Sequence, residues 1–322
     1  PYRCWPDLPR VKAPRQRDPI VPAANGSTGD RTGTAGIRRR ASALIRKRFD
    51  GLQREVLALF DRIRVYSVND AAVGRSVYAL TPDELAAVSQ ALREALDRWI
   101  ASGREAAHSF WWSPFDAEAS QLGAAQASTN LAAIAPAYAA ARSLEQIIYS
   151  QPYRDRVGVA QVKSYEHWTG LAAESRATLS QIIGRAVVDG KAPRAVRAEI
   201  AEALDASKSK ALSYAQTDIT DTLRQARAAE ADAAQEQFGL ALGILWTSAL
   251  KPTTRPWHAS RHGKVYSTGE VREFYTQRGN RYNCYCGLTE ALLDTDGNPI
   301  LTDTLKKAMA KEKAAWQKTQ AG

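Results

Sequence analysis

The chain predicts a mainly α protein, with a helical N-terminal region followed by a small α+β C-terminal module of short strands. Three observations carry this expectation. Alanine is abundant while runs of Val, Ile and Thr are sparse, which favours helix over sheet. Apolar residues recur at three- and four-residue steps through most of the first 238 positions. Beyond Gly239 the pattern changes to short β-branched and aromatic runs broken by proline-containing turns.

Residues 1–36 read as an extended, Pro/Gly-rich basic arm. Pro6, Pro9, Pro14, Pro19 and Pro22, followed by Asn25-Gly26-Ser27-Thr28-Gly29 and Gly33, forbid a continuous helix. Such an arm is expected to be ordered only where it lies on something else. The next segment has one apolar stripe through Ile37, Ala41, Leu44, Ile45, Phe49, Leu52, Val56, Leu59, Phe60 and Ile63, and so predicts an amphipathic helix. Thr81-Pro82-Asp83-Glu84 combines a capping hydroxyl, a first-turn proline and a capping-box glutamate. It should open a helix that places Leu85, Val88, Leu92, Leu96, Trp99 and Ile100 on one face.

The aromatic run Phe110-Trp111-Trp112-Ser113-Pro114-Phe115 predicts a hydrophobic plug between helices or at a subunit contact. Residues 116–150 read as helical, interrupted at Pro136, and His167 reads as a packing or capping residue. A periodic stretch over 177–188 should stop at Gly190. Pro193 opens another helix towards Leu204, and helix continues from about Ser207 to Gln237. Short strands are expected at 244–247 and 264–267, and a final helix from Asp303 to Gln320. The organisation expected is an arm (1–36), a helical domain (37–206), a C-terminal module (207–295) and a helical tail (296–322).

Charge is unevenly placed. Residues 1–64 hold 15 Lys and Arg against 6 Asp and Glu, so they carry +9 of the net +10. A nearly neutral body with a basic arm predicts contact with phosphates or an acidic protein surface. Arg38, Arg39, Arg40, Arg46 and Lys47 are the expected contacts to DNA or to such a surface. The competing expectation for these residues is an ordinary solvated face.

Three cysteines, two of them only two apart, point to a reducing compartment. No apolar run is long enough for a transmembrane helix, and the first residues lack a signal-peptide core, so no membrane anchor is expected. A start at Pro1 fits either initiator-Met removal or cleavage of a longer precursor.

The rarest residues gather at 246–287, which holds two of the four histidines and two of the three cysteines. His258 and His262 would share a face on a helix, and Cys284 and Cys286 would share one on a strand. These four could form a tetrahedral zinc site, although C-x-C is tighter than the usual zinc-knuckle spacing. His258 and His262 with Arg255 and Arg261 could alternatively perform acid–base cleavage of a phosphodiester, but no carboxylate is placed to orient either ring. The third expectation is purely structural. Arg255 pairs within the module, His258 donates to a backbone carbonyl, Asn283 fixes the turn before the cysteines, and the thiols pack as small hydrophobes.

The order of these residues resembles the C-terminal module of the phage Mu F-like minor head proteins, the head morphogenesis family of tailed phages. A tryptophan strand, R-x-x-H, a glycine and N-C-x-C are matched by Trp246, Arg255, His258, Gly263, Asn283, Cys284 and Cys286. The resemblance spans about 175–290. The family's A-R-T-E-like helix segment is represented by Ala215-Gln216-Thr217-Asp218, and Lys251 stands where an acidic residue is usual.

The resemblance implies a non-enzymatic minor capsid protein of the virion, present in the host cytoplasm during assembly. Its implied partners are the portal protein, the inner capsid surface and, through the basic arm, packaged DNA, with a role in assembly and in DNA packaging or ejection. No cofactor is implied, zinc being the one metal that the residues could hold. The alternatives are a nuclease or toxin-like C-terminal domain using His258 and His262, and a zinc-stabilised nucleic-acid-binding protein.

Overall fold

A computed structural model describes residues 18–21, 29–67, 75–102 and 110–321. Cys4, most of the arm's prolines and Asn25-Gly26-Ser27 lie outside the described residues.

The first helix, α1 (Ala35–Asp61), buries Ile37, Ala41, Ile45, Phe49, Leu52, Val56 and Phe60, the stripe that the periodicity predicts. A two-stranded antiparallel hairpin follows, β1 (Arg64–Ser67) and β2 (Ser76–Ala79). Sequence reading missed it. Its strands are four residues each, too short to show an alternating pattern.

Thr81 caps α2 (Pro82–Trp99) with the reciprocal Glu84 bond of a capping box. The expected face is only partly used. Leu92, Leu96 and Ile100 are buried, whereas Leu85 near the start of the helix is exposed.

The aromatic run leads into α3 (Ser113–Ile134) and works as an internal plug. Phe110 and Trp112 are buried, and Trp111 and Trp112 meet Trp168 with ring centroids 4.7 and 5.1 Å apart. Two short helices, α4 (Pro136–Ala141) and α5 (Leu144–Ile148), precede α6 (Gln151–Asp189). Gly190 terminates α6 in the left-handed conformation, at φ +65°.

Pro193 then opens α7 (Pro193–Phe238), a single helix of 46 residues. It runs uninterrupted from the helical region into the C-terminal module. α7 packs on α1, α3 and α6. Gly123 allows α3 to approach α7 closely, because a β-carbon there would lie 2.4 Å from the Leu223 carbonyl oxygen.

The module contains a three-stranded antiparallel sheet of order β4-β3-β5, from β3 (Leu242–Thr247), β4 (Val265–Tyr266) and β5 (Gly287–Leu292). β3 and β5 pair from Leu242↔Leu292 to Thr247↔Gly287. The alternation of β3 sorts its side chains. Ile244 and Trp246 join a core with Ala231 of α7, Val271, Phe274 and both cysteines. Leu245 points the other way, towards Ala291, Leu301 and Met309.

Between the strands lie α8 (Pro256–Ala259) and α9 (Thr268–Thr276), and α10 (Asp303–Ala321) closes the chain as predicted. It docks through Met309 and through the Trp316 indole, which donates to the Lys251 carbonyl at 2.8 Å.

The described part of the arm is pinned to this body. The Ile20 N–H donates to Asn130 Oδ1, Asp18 accepts from Thr302, and the Arg31 N–H donates to the Tyr285 carbonyl. Gly29, at φ +65°, passes so close to the loop after β3 that a β-carbon would lie 1.9 Å from the Ala249 carbonyl oxygen.

Candidate functional site

The site grows from the C-terminal end of β3. Trp246 is fully buried, stacked on Tyr275 with centroids 5.4 Å apart and met edge-on by Phe274 at 5.0 Å. The Arg261 guanidinium covers this aromatic group, 4.1 Å from the Phe274 centroid and 4.5 Å from that of Tyr266. Gly263 adopts φ +78° and returns its N–H to the Trp246 carbonyl. A side chain would strain that backbone, which is why glycine suits the position.

The loop after β3 leads to Arg255, which caps nothing with its side chain. Its guanidinium donates instead to the carbonyls of Tyr282 at 3.1 Å and Asn280 at 3.4 Å. Arg255 thereby holds the turn that delivers the cysteines. Asn283 sits in that turn at φ +51°, a conformation asparagine tolerates better than most residues. Its N–H reaches Thr217 Oγ1 at 3.3 Å and its side-chain amide reaches Ser213 Oγ at 2.9 Å, both on α7. Asn283 therefore docks the turn on Ser213 and on Thr217 of the Ala215-Gln216-Thr217-Asp218 segment. Asp218 lies 3.1 Å from His167 Nδ1, a contact consistent with the packing role expected of His167.

His258 departs from expectation. Nδ1 faces two sulfurs rather than a backbone carbonyl, at 3.5 Å from Cys284 Sγ and 3.6 Å from Cys286 Sγ. His262 does not join them. Its Nδ1 accepts the Ser248 backbone N–H at 3.0 Å, and its Nε2 lies 3.5 Å from the Glu312 carboxylate of α10. The α8 helix ends at Ala259, so the four-residue spacing does not place the two rings on one helical face. Of the four residues proposed from sequence as metal ligands, the fold brings together His258, Cys284 and Cys286, whose ligand atoms all lie within 4.8 Å of one another. His258 and His262 thus have separate partners.

Both thiols are buried. Burial pushes the Cys284 thiol up, but a hydrogen bond from Cys286 and the nearby Arg224 and His258 outweigh it and hold Cys284 well below the usual thiol range. Cys286, hydrogen-bonded to the Cys284 sulfur and buried, is pushed the opposite way. His262 is pushed down to about 4, chiefly by burial and then by Arg31 and Lys313. Beside the His–Cys–Cys group opens a pocket of about 250 Å³, which Lys251, Thr254 and Arg255 also line. The Lys251 ammonium lies 3.3 Å from the Tyr285 ring centroid, and burial lowers its proton affinity.

Sequence reasoning missed the charged girders behind the site. Arg224 of α7 pairs with Asp221 at 2.8 Å and donates to the Cys284 carbonyl at 2.9 Å. Arg281 reaches the other Asp221 oxygen at 3.1 Å. Arg227 binds Glu290 of β5 in bidentate fashion, at 2.6 and 3.0 Å, and Asn130 of α3 donates to the same carboxylate at 2.9 Å. The three-residue spacing of Asp221, Arg224 and Arg227 was visible, but a buried ion-pair row and a solvated one share that pattern.

The predicted contact residues on α1 fall into two groups. Arg38 is engaged with Asp30 and Thr34 and lies over the Tyr285 ring, and Arg40 pairs with Glu118 at the surface. Arg39, Arg46 and Lys47 are exposed. Among the described residues, no helix is long and apolar enough to cross a membrane.

No curated protein and no solved structure matches this chain. Residues 177–289 do match the family model of phage Mu protein F like protein, a segment that runs from the last turns of α6 through α7 and the whole His–Cys–Cys site into β5.

Proposed function

We propose that this chain is a minor head protein of a tailed phage, a structural component that works at the portal vertex or inner shell during assembly and DNA packaging or ejection. The observation that carries the reading is the family match over 177–289, which coincides with the long helix and the module built on it. Three of the polar residues that could serve a phosphodiester cleavage are occupied in packing. Arg255 holds carbonyls, His262 accepts a backbone N–H, and Arg261 covers aromatic rings. We therefore assign the module a positional rather than a catalytic role. In this reading α1 presents Arg39, Arg46 and Lys47 to packaged DNA or to an acidic portal surface, through sequence-independent and salt-sensitive contacts.

Isolation of portal rings from assembled heads tests the assignment. The protein should co-purify with the ring or with the inner shell. Its absence from heads, or robust nuclease turnover by the homogeneous protein that His258→Ala abolishes, would overturn the reading.

A further inference from the structure

We propose that His258, Cys284 and Cys286 form a three-ligand Zn²⁺ site whose fourth position faces the pocket lined by Lys251, Thr254 and Arg255.

The first argument is distance. Zinc binds thiolate sulfur at about 2.3 Å and imidazole nitrogen at about 2.0–2.1 Å in tetrahedral geometry, which puts nitrogen and sulfur about 3.6 Å apart. His258 Nδ1 lies 3.5 and 3.6 Å from the two sulfurs. A single ring nitrogen placed evenly between two sulfurs can make a linear hydrogen bond with only one of them. One ion between the three atoms satisfies all of them together.

The second argument is the surrounding donor set. The Tyr275 hydroxyl is 3.4 Å from Cys284 Sγ and the Ser248 hydroxyl is 3.7 Å from Cys286 Sγ. Hydroxyls within reach of both sulfurs can donate to them once they are thiolates, the outer shell that metal-bound thiolates require. Binding forms two S–Zn bonds and one N–Zn bond. The thiol protons leave to solvent, the imidazole ligates through Nδ1 in its neutral form, and two thiolates balance the 2+ charge of the ion.

The third argument is rigidity. Arg255 and Asn283 fix the turn carrying the cysteines, and Trp246 and Phe274 pack around His258. No further His, Cys, Asp or Glu among the described residues joins the three. In the proposed site the fourth ligand is a solvent-derived oxygen entering from the pocket. The set differs from the one sequence spacing suggests, since His262 turns away to Ser248.

The test uses the full-length protein, reduced with a phosphine and titrated with Co²⁺ alone, then with Zn²⁺ alone. One equivalent of Co²⁺ should produce a thiolate-to-metal charge-transfer band and the visible bands of a tetrahedral ion, and Zn²⁺ should abolish both. Azide should shift the visible bands by entering the fourth position. Cys284→Ala and Cys286→Ala should each lose the stoichiometric metal, whereas His262→Gln should keep it. A folded wild type that gives no charge-transfer band overturns the proposal, and that measurement stands even if the alanine variants do not fold. Full metal retention in both cysteine variants, or its loss in His262→Gln, also overturns it.

Discussion

The buried Arg227–Glu290 pair offers the sharpest test of how the module is held to the helical body. Both side chains are almost completely inaccessible, and Glu290 receives Arg227 twice and Asn130 once. Glu290→Ala removes the carboxylate and leaves the buried Arg227 guanidinium without that counter-charge, while its bond to Gln126 and the Asn130 bond to the residue-290 carbonyl remain. Removing one partner of such a pair costs about 3–5 kcal/mol, because the remaining charge is stranded rather than because the pair was strongly stabilising. Replacing both partners, as in Arg227→Met with Glu290→Leu, removes the stranded charge and should recover most of that loss. Denaturant titration followed by tryptophan fluorescence and circular dichroism measures the wild type, Arg227→Met, Glu290→Leu and the double variant, which close the cycle, alongside Glu290→Ala. The coupling between the two substitutions should exceed about 2 kcal/mol. A Glu290→Ala loss below about 1 kcal/mol would refute the reasoning, since it would mean that water or another group reaches Arg227.

His262 predicts a pH dependence. Its folded proton affinity is pushed down to about 4, against about 6.5 when unfolded, so the unfolded chain takes up the proton first as pH falls. The stability this neutral ring contributes is complete above about pH 6.5 and is lost through the window down to about 4, by roughly 3 kcal/mol. Urea midpoints measured across that window should show the loss, and His262→Gln should flatten it. Gly123→Ala should destabilise by about 1–3 kcal/mol, read from the thermal midpoint, because α3 and α7 must part to admit the methyl group. Thr81→Ala should cost about 1 kcal/mol in the same assay through loss of the α2 cap. For the basic helix, the triple variant Arg39/Arg46/Lys47→Ala should keep its stability, and its log–log salt dependence of DNA binding should be shallower by up to about 3 units. Arg38→Ala should lose stability instead, since it releases Asp30 and Tyr285. Failure of the full-length protein to bind DNA at low salt would shift the assignment to an acidic protein surface.

The sequence by itself determined the helices that advertise themselves locally. The stripe of α1, the Thr81 capping box and the stops at Gly190 and Gly239 depend only on residues within a few positions, and all appear where the pattern puts them. The order of Trp246, Arg255, His258, Gly263, Asn283, Cys284 and Cys286 likewise sufficed to indicate the family segment, which the family match covers from 177 to 289. Tertiary structure alone decided what the side chains do. Four-residue spacing could not exclude His262 from the cysteine group, because α8 stops one turn too early for helical geometry to apply. The charges of α7 looked like a solvated row until the sheet and α3 closed over them. Arg38 looked free until the arm brought Asp30 against it. Each of these depends on partners 8 to 160 residues away in sequence, and local periodicity carries no information about which distant group will occupy the other side of a contact.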